Sequence, residues 1–111
     1  MRRLIPALLL VSVLAPGCAS PKADFATICE ITNKTRAEKL EPTEEAQVLA
    51  RRINKGIKTA AAREAMKAVG TAAAGERYSL LQAAARKAGA TDWSCPALEE
   101  MLRPAAPAPG R

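Results

Sequence analysis

The chain of 111 residues has no histidine, and only one Phe, one Tyr and one Trp. Without histidine there is neither a Ser-His-Asp nor a Cys-His catalytic unit, and every His-containing metal site is excluded. The three cysteines, Cys18, Cys29 and Cys95, include no close-spaced pair, so the spacing of a zinc site is missing as well. No glycine-rich run leads into a Lys-Ser/Thr pair. The stretch Lys67-Ala68-Val69-Gly70-Thr71 therefore does not make a phosphate loop. No segment shows the alternation of β-branched residues that builds a sheet. Large apolar side chains are scarce too, because 25 of the residues are Ala and each buries little area. What remains is an Ala-rich chain long enough for one small domain with a thin core.

The carboxylates do not assemble into a reactive pair. Glu44-Glu45 and Glu99-Glu100 are neighbours in sequence. On a helix such neighbours point about 100° apart, so they do not converge on one substrate atom. A nucleophilic Cys needs a base and a site that stabilises the thiolate, and the bases here are Lys and carboxylates. The expectation is a protein that is not an enzyme and has no metal or cofactor.

The formal net charge is +6, from 17 Lys+Arg against 11 Asp+Glu. Arg51, Lys55 and Lys58 recur at i, i+4 and i+7, opposite an apolar stripe. The bland reading is a solvated face whose cations complement a helix C-terminus. The alternative is contact with anionic lipid or cell-wall polymer, which makes these three residues the candidates for such a surface. Nucleic acid is not the expected partner, because the chain starts with an export signal and has few aromatics for stacking.

The periodicity predicts an all-α fold, a small bundle of four or five short helices. A first helix begins at Asp24 as N-cap, with Phe25, Ile28, Cys29 and Thr32 on one face. The polar stretch from Asn33 to Glu41 reads as a loop with some local helical tendency. A second helix starts at Pro42-Thr43 and buries Ala46, Leu49, Ala50, Ile53 and Ile57, with Gly56 weakening its last turn. Thr59 caps a third helix, with Ala62, Met66 and Val69 inward, that ends at Gly70. A fourth runs from about Glu76 to Ala88, buries Tyr78, Leu81, Ala84, Ala85 and Ala88, and stops at Gly89. A short Pro-started helix then carries Leu98, Met101 and Leu102 to Arg103. Trp93 is expected to stack against the first helix, with a ligand-anchoring role at the surface as the alternative. Pro104 to Arg111, rich in Pro and Ala, reads as a disordered tail.

The N-terminus has the layout of an export signal. Arg2 and Arg3 precede the uncharged run Leu4 to Leu14. Eleven helical residues rise about 16 Å, roughly half a bilayer core, which suits a signal segment and not a span. Leu14-Ala15-Pro16-Gly17-Cys18 follows, and this ending resembles the lipobox of bacterial lipoproteins. The resemblance implies cleavage before Cys18, so that 1–17 is a signal peptide, and a diacylglyceryl thioether and amino acylation at Cys18. The alternative is an ordinary secretory signal with an incidental Cys. With Cys18 lipidated, Cys29 and Cys95 remain for a disulfide in an oxidising compartment. That bridge would close the helical bundle, and its reduction is expected to release the first helix first. Residues 18–23 form a tether of roughly 17 Å at most, residues 24–103 the helical domain and 104–111 the tail. Ala19 is not the Asp that retains such proteins at the inner membrane. The expected location is therefore the periplasmic side of the envelope, at the outer membrane in preference to the inner.

The body resembles short Cys-pair lipoproteins of delta-type proteobacteria. The resemblance lies in Cys29 ahead of a Pro-started Ala/Arg helix, the stretch Arg77-Tyr78-Ser79-Leu80-Leu81, and the closing Cys95-Pro96-Ala97-Leu98. It implies no catalytic residue. The functional expectation is a non-enzymatic envelope lipoprotein, a structural or interaction module held close to the membrane with an envelope protein as partner. The alternative is an inhibitor or immunity-like protein that binds an envelope enzyme or toxin.

Overall fold

A computed structural model of the chain describes residues 19–104. The signal segment, Cys18 and the tail after Pro104 lie outside the described residues. The described residues form five α-helices: α1 (Pro21–Ala37), α2 (Pro42–Gly56), α3 (Ala60–Thr71), α4 (Arg77–Lys87) and α5 (Pro96–Leu102). A single 3₁₀ turn, Ala74–Glu76, leads into α4. No strand occurs among the described residues, and the fold is the expected all-α bundle.

Helix α1 starts earlier and ends later than its sequence suggests. Ser20, not Asp24, is the N-cap: its Oγ accepts from the Ala23 amide at 3.1 Å, and Pro21 follows with its fixed φ. Only Ala19 and Ser20 therefore separate Cys18 from rigid structure. The helix also continues through much of the stretch expected to be a loop, as far as Ala37. Its buried face explains this: Phe25, Ile28, Thr32 and Thr35 lie at i, i+3, i+7 and i+10, and all four are buried. Two threonines there look polar in sequence. Thr32 nonetheless satisfies its hydroxyl on the Ile28 carbonyl at 2.7 Å and packs as a core residue.

The remaining helices pack around α1. Helix α2 runs antiparallel to it, since Asp24 meets Lys58 and Thr59 near one end while Arg36 meets Glu45 near the other. Gly56 faces α1 at close range; a Cβ there would lie 2.8 Å from Ile31 Cδ1. Its role is close helix approach as well as a weakened turn. Helix α3 packs on α4 and α1, and α5 returns along α1 in parallel. In the core, α2 contributes Leu49, Ile53 and Ile57, α3 contributes Ala62, Ala65 and Val69, and α4 and α5 contribute Leu81, Ala85 and Leu98. Ala46 and Ala50, expected in the stripe of α2, are exposed, and Met66 is half-buried. The bundle closes over branched residues and leaves the alanines of α2 outside.

Helix ends follow local chemistry. Thr59 caps α3, accepting from the Ala62 amide at 3.3 Å. Helix α3 passes through Gly70 and ends at Thr71, so Gly70 is not its terminator. Gly89 does terminate α4, with φ +99°. The Gly89 amide reaches the Arg86 carbonyl and the Ala90 amide reaches that of Ala85, at 3.0 and 2.9 Å, which is a Schellman motif. Lys39 takes the equivalent left-handed position after α1 at φ +55°, where a side chain is strained.

Cys29 and Cys95 are joined in a disulfide, with Cα atoms 5.6 Å apart and a sequence separation of 66. The bridge ties α1 to the start of α5. The same junction gathers all three aromatics. Trp93 meets Phe25 edge-on at 5.8 Å between centroids and lies 5.9 Å from Tyr78. Trp93 Nε1 donates to the Phe25 carbonyl at 2.7 Å, and the Cys95 amide donates to the Tyr78 hydroxyl at 2.8 Å. Helix α1 touches every other helix, so its place in the bundle rests on more than the bridge. The element left hanging is α5, seven residues long and held at its start by the bridge.

Candidate functional site

An open groove of about 840 Å³ lies between α2 and α3. It exists because consecutive helices diverge. Helix α2 commits its apolar face to α1 and α3 commits its own to α4, and the two barely touch each other. The short link Ile57-Lys58-Thr59 fixes the angle between them. Its anchor is Asp24, which is 4% exposed. Its carboxylate accepts the Lys58 amide at 3.0 and 3.1 Å, the Thr59 amide at 2.8 Å and the Thr59 hydroxyl at 2.7 Å. Burial alone would raise this carboxyl's pKa. The hydrogen bonds from Thr59 and Lys58, with the nearby Lys58 charge, outweigh it and hold the pKa below the usual aspartate value.

The floor of the groove is apolar, formed by Ala50, Ile53, Ile57 and Met66. Gln47 and Asn54 offer amides, and the rim carries Arg51, Arg63 and Lys67 against Glu64. Three cations against one carboxylate give the groove a positive field. Its lining holds no thiol and no hydroxyl, and a surface with apolar and anionic character would complement it. Among the described residues no group of three His, Cys, Asp or Glu could hold a metal ion. No described helix is long and apolar enough to cross a membrane.

The basic candidates from the sequence are divided by the fold. Arg51 lines the groove; Lys55 and Lys58 do not, and they lie on the last turn of α2 and just after it. Cys29 and Cys95 are brought together, whereas Cys18 lies outside the described residues. Arg63 and Lys67 were not singled out in the sequence. Their i, i+4 spacing on either side of Met66 is the signal that marks them. Arg52 is turned away from the groove: its guanidinium pairs with Glu38 and donates to Thr35 Oγ1 at 3.1 Å. That pairing lowers the Glu38 pKa and raises that of Arg52.

No family model matches the chain, and neither does any curated protein or any solved structure.

Proposed function

We propose that the protein is a lipid-anchored envelope module, acylated at Cys18, that docks a partner in the α2–α3 groove without catalysing a reaction. The observation that carries the docking role is the groove, an apolar floor under a cationic rim with no thiol or hydroxyl in its lining. A lipid at Cys18 would be followed within three residues by the capped start of α1, so the module stays close to the headgroups. Two or more acyl chains give stable anchoring by themselves.

Two experiments test this reading. Cys18→Ser should move the protein out of the membrane fraction or leave its signal uncleaved; a processed, membrane-bound Cys18→Ser protein refutes the anchor. Crosslinking from Ala50 or Met66 in intact envelopes should capture one protein partner, lost in Arg63→Glu/Lys67→Glu. An assembly or wall component supports the module, and a hydrolase or toxin supports the inhibitor reading instead.

A further inference from the structure

The bundle is electrically polarised along its helices, and we infer that its Ser20 end is a contact surface for anionic phospholipid headgroups, made by Lys22, Lys58 and Lys87. The inference rests on the anchor reading above and deepens it by assigning an orientation.

Two independent sets of contacts define the ends. At one end the start of α1 meets the α2–α3 link, through Asp24 with Lys58 and Thr59. It also meets the α4–α5 loop, since Lys22 and Ala26 share a small cavity with Gly89, Thr91, Asp92 and Trp93. The cations gathered here are Lys22, Lys55, Lys58, Arg86 and Lys87. The exposed carboxylate is Asp92, because Asp24 is buried and engaged. None of these five cations forms an ion pair among the described residues.

The opposite end is acidic. Arg36 on α1 reaches Glu45 on α2 at 3.7 Å and Glu100 on α5 at 3.1 Å, and Arg52 pairs with Glu38. Glu41, Glu44 and Glu99 belong to the same end by their places in the chain. At that end Arg36 and Arg52 are engaged in those pairs and Lys34 and Lys39 are not; the Ser20 end differs in setting five unpaired cations against one exposed carboxylate. This is the pattern of a surface that meets an external anion.

The position of the anchor selects the partner. Cys18 is joined to the basic end by Ala19 and Ser20 alone, a reach of about 10 Å when extended. A lipid at Cys18 holds that end within about one Debye length of the headgroups, where each cation contributes to attraction toward an anionic leaflet. The acidic end and the α2–α3 groove then face away from the membrane or sideways. Arg51 lies seven residues, about 10 Å, back along α2 from Lys58, and belongs to the groove. The charges thus orient the module; the acyl chains hold it.

Trp93 is the one tryptophan and lies at the basic end, so it reports the orientation directly. The protein purified from membranes is placed in vesicles of phosphatidylcholine alone, or of phosphatidylcholine with phosphatidylglycerol, each doped with a headgroup nitroxide lipid. Trp93 quenching should be stronger in the anionic vesicles, and high salt should remove the difference. The triple variant Lys22→Gln/Lys58→Gln/Lys87→Gln should also remove it, whereas Arg51→Gln/Arg63→Gln/Lys67→Gln, with the same loss of charge elsewhere, should not. Equal quenching in both vesicles, or equal loss in both triple variants, overturns the inference. Intact mass separates this from the anchor reading. If Cys18 is unmodified, that reading falls, and sedimentation with the same vesicles decides the basic end. The surface then requires pelleting with the anionic vesicles that weakens about fivefold per lysine, about a hundredfold for the three. No such preference refutes it, and pelleting with isolated cell-wall polymer alone refutes it too.

Discussion

Replacing the buried Asp24 by Ala should destabilise the bundle more than removing any of its exposed carboxylates. The carboxylate takes three donors from another part of the chain: the Lys58 amide, the Thr59 amide and the Thr59 hydroxyl. A hydrogen bond to a charged group contributes about 1.5–3 kcal/mol. Lys58 is exposed and Thr59 half-exposed, so water replaces part of what is lost. The expected net cost is about 3 kcal/mol. For a domain of this size that lowers Tm by roughly 12–24 °C. Asp24→Asn retains one acceptor oxygen but turns an amide NH2 toward a backbone donor, and should cost about half as much. Thr59→Val removes the hydroxyl donor together with the cap on α3. In a double-mutant cycle the two sites should couple by at least about 1 kcal/mol.

The pH dependence gives a second readout of the same contact. The folded-state pKa of Asp24 is depressed below its unfolded value of about 3.9. Its stabilisation is therefore complete above that unfolded value and disappears as pH falls through the lower folded value. Urea titrations of wild type and Asp24→Ala should differ by a constant amount near neutral pH, and the difference should narrow in strong acid. A cost under about 1 kcal/mol, or a difference that persists unchanged into strong acid, would show that Asp24 is a passive buried residue and that the α2–α3 angle is set by packing.

Loss of the disulfide should cost up to about 4 kcal/mol on the chain-entropy model for a 66-residue separation. Under reductant Trp93 fluorescence should change before far-UV dichroism, because α5 detaches ahead of α1; simultaneous loss of both signals refutes that order. Lys39→Gly should raise stability by about 0.5–1 kcal/mol, since it relieves a left-handed side chain at φ +55°. An unchanged or lower Tm counts against strain at that site. Tyr78→Phe leaves the Cys95 amide without its hydroxyl acceptor at a buried junction, and should cost about 1–2 kcal/mol in urea denaturation.

The helices were legible in the sequence because their signals are local. Pro42 and Pro96 at helix starts, Thr59 as a cap and Gly89 as a terminator each act within one turn, and each sits where the pattern places it. The buried stripe Leu49, Ile53, Ile57 follows from spacing alone. The disulfide was legible by cysteine parity. What the sequence hid was long-range polar contact. Thr35 and Asp24 look like surface residues in one dimension, and their burial depends on partners on α2 and the α2–α3 link. The misplaced start of α1 has the same cause: Asp24 is a good N-cap by type, but its carboxylate is engaged by a different helix start. The groove was hidden as well, since divergence between α2 and α3 depends on what each packs against.

Those hidden contacts have a common physical origin in the shortage of large apolar groups. Phe25, Ile28 and Leu81 are the bulkiest apolar side chains that are fully buried, and the alanines between helices contribute little area each. Non-directional burial of this kind leaves helix orientation weakly specified, because many packings of Ala-rich faces are nearly equal in energy. Directional contacts resolve the degeneracy. Asp24 fixes the α2–α3 link, Arg36 draws α5 and α2 to the far end of α1, Tyr78 positions Cys95, and the disulfide closes the ring. Three of these four ties end on α1. The same economy leaves α2 and α3 without enough apolar surface to close on each other. The groove is thus the outward face of a core too small to fill the space between five helices, and an interaction site is a natural use of it.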